Sequence, residues 1–262
     1  MPRWHNLVLR WIANPVSFGI YGFKSHPRRF KKMVKKEILV ISLGGSIIVP
    51  DKVDTDFLMD FKKLILEYAD KYQFVIVTGG GSTARTYANS AKEIEKGALK
   101  DDLDWLGINA TILNAQLIKT IFKDKTYNKI ITDPTKKPKT AKPIVLAAGY
   151  KPGSSSDYDA VMLAKTFKTK KILNLTNIDY VYNKDPRTHT FAKPMKKLTW
   201  KQYRRIIPPD FTYGMNTPFD PVASKHAEKL KLEVVVMNGR KLKQIKKYLD
   251  KKEFIGSVIS NG

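Results

Sequence analysis

Two glycine-rich stretches follow runs of β-branched residues, and both are typical of anion-binding turns. Three glycines at 79–81 follow Val75-Ile76-Val77, and a helix with Arg85 in its first turns is predicted behind them. Glycines let backbone N–H groups approach an oxyanion closely, a helix N-terminus adds partial positive charge, and the Arg85 guanidinium can clamp a phosphate. A second turn, Gly44-Gly45-Ser46, follows the apolar run 38–41. Either turn alone could be a ligand-free strand-to-helix turn, but the pair indicates two phosphates side by side.

The elements that must position these turns alternate between strand and helix from residue 37 onward. The predicted strands lie at 38–43, 73–77, 129–132, 144–148, 171–176, 233–237 and, at an edge, near 256–260. The predicted helices lie at 55–70, 82–96, 104–123, 157–168, near 199–206, 219–231 and 240–250. This alternation, with its all-apolar first strand, predicts an α/β fold: a three-layer αβα sandwich with a mostly parallel central sheet. Ligands of such sheets bind at the carboxyl ends of the strands, where the glycine and serine turns can converge.

Composition excludes several kinds of protein. The 262-residue chain has no cysteine and four scattered histidines, so disulfides, thiolate chemistry and a zinc site are not expected. No apolar run approaches the about 20 residues of a membrane span, and we expect a cytoplasmic protein. The net charge of +24 invites a nucleic-acid interpretation, but the lysines are spread along the chain without a nucleic-acid-binding motif. General basicity with anionic small substrates is the preferred interpretation.

Residues 1–36 form a basic N-terminal extension that is distinct from the rest of the chain. They contain nine Lys and Arg residues and no acidic residue. Helical spacing places five apolar side chains on one face: Trp4, Leu7, Val8, Trp11 and Ile12. The segment could be an amphipathic surface anchor, a helix packed on the domain or on a neighbouring subunit, or a stretch translated only from an upstream start. Met33 lies just before the first predicted strand and could itself be a start. We favour the last two interpretations over the anchor.

Four motifs occur in a fixed order along residues 37–262. They are Leu43-Gly44-Gly45-Ser46, then Gly79-Gly80-Gly81 with Arg85, then Asp157-Tyr158-Asp159-Ala160, then the stretch from Thr176 to Asp185-Pro186. Together they resemble the amino acid kinase superfamily, and within it the UMP kinases of the archaeal type. Acetylglutamate and isopentenyl phosphate kinases usually carry a His beside the glycine run, whereas this chain has Thr78 before it and Ser82 after it. The segment 219–223 also looks like the UMP kinase pattern.

The resemblance implies transfer of the γ-phosphoryl group of Mg2+-bound ATP to UMP, usually by a homohexamer. It implies an acceptor-binding half at about 37–150 and an ATP-binding half at about 151–262. The residues that it assigns to UMP are Gly79, Gly80, Arg85, Asp104, Ser155 and Ser156. The residues that it assigns to ATP are Gly44, Gly45, Ser46, Thr176, Asn177, Tyr182 and Asp185, the first three through backbone N–H groups. Gly44-Gly45-Ser46 lacks the Gly-Lys-Ser/Thr ending of a Walker motif.

Asp157 and Ser42 are the candidate catalytic residues. Asp157 could orient a cationic group or a metal at the transferred phosphoryl, or only cap its helix, and Asp104 could likewise be a helix cap. Ser42 stands where many family members have a Lys that reaches the transferred phosphoryl. The missing charge would come from Mg2+ or from another lysine such as Lys151. A kinase of the same superfamily that acts on another small acid or phosphate remains an alternative. Because of Ser42, so does a nucleotide-binding regulatory or storage protein without turnover.

Overall fold

The computed structural model describes residues 36–210 and 217–262. Residues Lys36–Gly262 form one compact unit. The predictions for the N-terminal extension therefore fall outside the described residues, apart from Lys36.

The centre of the unit is a seven-stranded sheet. In chain order its strands are β1 Glu37–Leu43, β2 Tyr72–Thr78, β3 Ile144–Ala147, β4 Lys171–Thr176, β7 Lys197–Thr199, β8 Glu233–Asn238 and β9 Ser257–Ser260. Two short strands, β5 Val181–Tyr182 and β6 Pro194–Met195, pair with each other outside this sheet. The strand order is β3-β2-β1-β4-β8-β9-β7. Every pairing in the seven-stranded sheet is parallel except that of β8 with β9. The carboxyl ends of β1, β2, β3, β4 and β8 therefore meet at one edge of the sheet.

Helices cover both faces of this sheet. They are α1 Gly45–Ile48, α2 Thr55–Glu67, α3 Gly81–Ile94, α4 Lys100–Phe122, α5 Ser156–Phe167, α6 Trp200–Arg204, α7 Pro221–Lys229 and α8 Leu242–Leu249, with a 3-10 turn at Lys123–Lys125. Alternate residues of β1 enter separate hydrophobic cores: Leu39 and Ile41 pack under α2 and α8, whereas Val40 packs under α5 and α7. The predicted three-layer αβα sandwich with a mostly parallel sheet is confirmed.

Two details of the predicted sheet are wrong. The strand predicted at 129–132 is absent, because only Ile131 makes an isolated bridge to Ala147 before the chain enters the loop containing Pro134. The strand near 256–260 is not an edge strand, because the three-residue β7 pairs along its outer side. A strand as short as β7 has too few residues to display a period of two. Among the helices of the described residues, none has both the length and the apolar character needed to cross a bilayer.

Candidate active site

The two glycine turns lie at the ends of neighbouring parallel strands and press directly against each other. Leu43 of β1 is in register with Thr78 of β2, so the turns leave the sheet side by side. A Cβ atom on Gly45 would lie 1.9 Å from the Gly81 nitrogen, and one on Gly79 would lie 2.4 Å from the Gly45 nitrogen. Gly81 also has φ +67°, a conformation that favours glycine. Glycine is therefore required at these positions by backbone-to-backbone contact, whether or not a ligand is bound.

The turns offer fewer free amides than the sequence suggests. The Gly44 N–H donates to the Leu175 carbonyl, and the Gly79 N–H donates to the Leu43 carbonyl, each at 2.9 Å. This corrects the prediction for Gly44, whose own amide is committed to the fold rather than to a phosphate. Four other amides, at Gly45, Ser46, Gly80 and Gly81, begin α1 and α3 and have no acceptor among the described residues. Any anion held here would take its hydrogen bonds from those four.

A small cavity beside the second turn unites most of the residues assigned to the acceptor. Its volume is about 150 Å³, and its lining includes Gly80, Asp104, Ser155 and Ser156. Asp104 is 5% exposed, and its Oδ2 accepts a hydrogen bond from the Gly153 N–H at 2.7 Å. Its Oδ1 is buried without a partner among the described residues. Because buried carboxylate oxygens are almost always satisfied, this oxygen is free to accept a hydrogen bond from a donor that enters the cavity.

The structure adds detail for three of the residues assigned to the acceptor. Asp104 is not a helix cap: α4 begins at Lys100, and Asp104 lies in the second turn of that helix. Arg85 is exposed and does not line the small cavity; its Nη2 donates to the Pro50 carbonyl at 3.4 Å. Ser155 has a local role as well, because its Oγ accepts from the Tyr158 N–H and caps α5.

A larger cleft of about 420 Å³ lies after β4, within the size range of small-molecule sites. Its lining contains all four loop residues assigned to ATP: Thr176, Asn177, Tyr182 and Asp185. The Asp185 carboxylate already has a partner, because Arg187 donates to it through Nε at 3.1 Å and Nη2 at 2.8 Å. These hydrogen bonds lower the pKa of Asp185 to about 2. The cleft therefore contains a firmly ionised carboxylate, with the cations of Lys184 and Arg187 in its wall.

Asp157 accepts hydrogen bonds at both of its carboxylate oxygens. Ser42 donates through Oγ to Oδ1 at 3.1 Å, and the Asp220 N–H donates to Oδ2 at 3.0 Å. Asp157 is not the cap of its helix, because that position belongs to Ser155. Burial, together with the nearby charge of Asp220, raises the pKa of Asp157 to about 7. The structure thus joins the two candidate catalytic residues, Asp157 and Ser42, in one contact.

Sequence reasoning missed two further carboxylates at this place. Asp159 is fully buried and accepts from the Ser154 Oγ at 3.1 Å and from the Tyr150 N–H at 3.2 Å, and burial raises its pKa to about 7. Asp220 caps α7, directly before Pro221, and burial raises its pKa too. An Asp-Pro pair before a helical pattern was the available signal for Asp220. Lys151, the proposed replacement lysine, is exposed with its Nζ over the Tyr150 ring, 5.4 Å from the centroid.

Two cavities therefore lie after the carboxyl ends of the parallel strands, one lined by the loop after β4 and one beside the second glycine turn. Residues 37–238 match the model of the amino acid kinase family. The chain therefore belongs to the amino acid kinase family.

Several known proteins that resemble this chain are named as uridylate kinases. A uridylate kinase of Methanosarcina barkeri is 31% identical over 228 residues, which cover 86% of this chain and 97% of that protein. A uridylate kinase of Sulfurisphaera tokodaii is 31% identical over 227 residues, covering 84% and 98%. The crystal structure of uridylate kinase from Archaeoglobus fulgidus has a TM-score of 0.73 and 31% identity, covering 85% of this chain and 99% of that one. The resemblance to archaeal UMP kinases seen in the sequence is confirmed.

Proposed function

We propose that this protein is an ATP-dependent UMP kinase that transfers the γ-phosphoryl group of ATP to UMP and forms UDP and ADP. The observation that supports it most is the buried, unpartnered Asp104 Oδ1 in the wall of the cavity beside the second glycine turn. A carboxylate in that position can accept hydrogen bonds from ribose hydroxyls, while the amides of the turn hold a phosphate. A small acid without a sugar would leave this carboxylate without a partner.

In this proposal the larger cleft binds ATP and the smaller cavity binds UMP. Tyr182 packs against the ATP nucleoside, and Thr176, Asn177 and Asp185 line the same cleft. Gly45 and Ser46 offer their amides to the donor phosphates, and Gly80 offers its amide to the UMP phosphate. An oxygen of the UMP phosphate attacks the γ-phosphorus in line and forms the new P–O bond. The bond between the γ-phosphorus and the β–γ bridging oxygen breaks, and ADP leaves with that oxygen. Positioning supplies most of the catalysis.

No side chain has to remove a proton from the nucleophile. The second pKa of a phosphate monoester is about 6, so UMP is largely a dianion at neutral pH. Asp157 accordingly acts as an orienting charge rather than as a general base. Ser42 is buried and holds Asp157 through its hydroxyl, which is a positioning role. The chain thus has a serine–carboxylate contact at the place where many family members have a lysine.

Mg2+ is the cofactor that we propose to accompany ATP. The Asp157 and Asp220 carboxylates fit it, because they are hard oxygen ligands whose raised pKa values reflect a burial cost that a nearby cation would relieve. Within residues 36–210 and 217–262 no group of three or more His, Asp or Glu side chains could hold a metal. A metal carried mainly by the ATP phosphates suits this arrangement. When bound, Mg2+ neutralises charge on the transferred phosphoryl group.

We also propose a homo-oligomer, a hexamer by family resemblance, that works in the cytoplasm in pyrimidine nucleotide synthesis. Large apolar side chains are exposed on α3 and α4, among them Tyr87, Ile94, Trp105 and Leu113. Exposed apolar groups of this kind favour a protein interface. Light scattering on the purified chain should give a mass several times 29.9 kDa; a monomer would contradict the oligomer without affecting the kinase.

The division into an acceptor-binding half and an ATP-binding half at about residue 150 stays a proposal. The small cavity takes its lining from both sides of that boundary, since Gly80 and Asp104 precede it and Ser155 and Ser156 follow it. The two halves therefore share the acceptor site.

The test is a coupled ADP-release assay with Mg2+, ATP and one acceptor at a time: UMP, CMP, dUMP, N-acetylglutamate or carbamate. We expect UMP to give the highest kcat/KM and the acids to give none above the ATPase background. ADP release that does not depend on UMP would refute the proposal. A preference for an acyl acid would instead assign the chain to another kinase activity of its family.

A further inference from the structure

The buried side-chain amide of Asn114, a residue not assigned to either substrate, donates hydrogen bonds to the second glycine turn. Asn114 of α4 is 3% exposed, and its Nδ2 donates to the Gly79 carbonyl at 2.8 Å and to the Gly80 carbonyl at 3.2 Å. Two carbonyl oxygens can be satisfied only by a donor, so the nitrogen of the Asn114 amide must face them. The Gly80 carbonyl also accepts from the Ala84 N–H of α3 at 3.4 Å, so Asn114 fixes the first of these two peptide groups and supports the second.

The direction of those carbonyls also sets the direction of two amides. The Gly79 carbonyl shares its peptide plane with the Gly80 N–H, and the Gly80 carbonyl shares its plane with the Gly81 N–H. No peptide bond of the described residues is cis, and in a trans peptide the N–H points opposite to the C=O. Because both carbonyls point to the Asn114 amide, the Gly80 and Gly81 N–H groups point away from that side chain.

These two amides are the ones that the turn has available for an anion. Both begin α3 and have no acceptor among the described residues, whereas the Gly79 N–H is bound to Leu43. The Gly81 nitrogen also lies at the contact between the two turns, where a Cβ on Gly45 would come within 1.9 Å of it. Glycine peptides have no side chain to restrict them, so their orientation depends on outside hydrogen bonds of this kind.

We propose that Asn114 is a positioning residue for acceptor binding, which turns the Gly80 and Gly81 amides toward the phosphate of UMP. The proposal rests on the UMP kinase function and names a further residue for the acceptor side of the same site. Asn114 touches neither nucleotide and acts through the backbone of the turn. Its loss should weaken recognition of the phosphate group more than recognition of the nucleoside.

The experiment compares Asn114→Ala and Asn114→Asp with a matched control, Asn109→Ala. Asn109 lies on the same helix, is exposed, and donates its Nδ2 to the Trp105 carbonyl at 2.9 Å. For each full-length variant we would measure kcat, the KM values for UMP and ATP, the calorimetric Kd of UMP, and the inhibition constant of uridine. Asn114→Asp keeps the size of the side chain and replaces the donor nitrogen by an oxygen.

We expect both Asn114 variants to raise the Kd and KM of UMP at least tenfold. The KM of ATP and the inhibition constant of uridine should stay within twofold of wild type. Asn109→Ala should leave every value within twofold. An unchanged UMP affinity in folded Asn114 variants would overturn the proposal, as would equal losses for UMP and uridine. Unfolding of both variants would overturn it too, by showing a general structural role. If the wild-type protein binds no UMP, the proposed function fails before Asn114 is tested.

Discussion

Replacing Asp157 by Asn removes one negative charge while keeping the shape of the side chain. The Asn oxygen can still accept from the Asp220 N–H, and its NH2 group can donate to the Ser42 hydroxyl, which turns to accept. The local geometry should therefore survive, and the effect of the charge is isolated. Because the wild-type carboxylate is half-buried close to Asp220, we expect this substitution to stabilise the protein and to impair turnover.

The size of the stability effect follows from the pKa of Asp157, which is raised from 3.8 to about 7. The folded state disfavours the ionised form, so stability is highest below the unfolded pKa, falls as the pH rises to about 7, and is constant above it. A shift of about 3 units at 1.36 kcal/mol each sets an upper limit of about 4 kcal/mol. Asp157→Asn should be more stable than wild type by up to that amount at pH 8, and by almost nothing at pH 4.

The assay is urea unfolding of wild type, Asp157→Asn and the exposed-site control Asp60→Asn, in EDTA at pH 4, 6 and 8, with kcat measured separately at pH 8 with Mg2+. We expect kcat of Asp157→Asn to fall by at least about 100-fold, the usual loss when a preorganised charge-stabilising group is removed. The KM of UMP should change little. Equal or lower stability than wild type at pH 8, or a kcat within threefold of wild type, would refute the reasoning.

Three further substitutions test the remaining parts of the site. Asp104→Asn should raise the calorimetric Kd of UMP about tenfold or more, because a charged acceptor of ribose hydroxyls is lost, and leave the KM of ATP unchanged. Gly45→Ala should destabilise the fold by about 3 kcal/mol or more in urea unfolding, since its Cβ meets the Gly81 nitrogen, whereas Gly97→Ala in an exposed loop should not. Tyr182→Ala should raise the KM of ATP by about tenfold through lost stacking, without affecting UMP. Unchanged constants, or equal effects of the two glycine substitutions, would contradict these assignments.

The fold could be predicted because its signals are local. A buried parallel strand such as β1 is mostly a continuous apolar run in the sequence. The glycines that follow β1 and β2 mark where each of these two runs ends. Helix α2 begins where Asp54 accepts a hydrogen bond from the Phe57 N–H, and an Asp directly before a helical pattern is a common local signal of a helix start. The order of these signals was sufficient for the sheet, the layers and the edge at which ligands bind.

The site was less predictable because its partners are distant in the chain. The contact of Ser42 with Asp157 joins residues 115 positions apart, and that of Asp157 with the Asp220 N–H joins residues 63 positions apart. Neither contact produces a periodic pattern in the sequence from which it could be predicted. Asn114 looks like an ordinary polar residue of α4 until the turn that it holds is placed beside it. The hydrogen bond from the Gly44 N–H could not be predicted either, since its acceptor, the Leu175 carbonyl, belongs to another strand.

Transfer of the γ-phosphoryl group from ATP to UMP is the central claim, and label transfer measures it most directly. The full-length protein would be incubated with Mg2+, UMP and ATP radiolabelled at the γ-phosphate, and the products separated by chromatography. We predict label in UDP, in amounts equal to the ADP formed and dependent on UMP, with little in inorganic phosphate. Label that stays in ATP, or that appears only as inorganic phosphate regardless of UMP, would contradict the account.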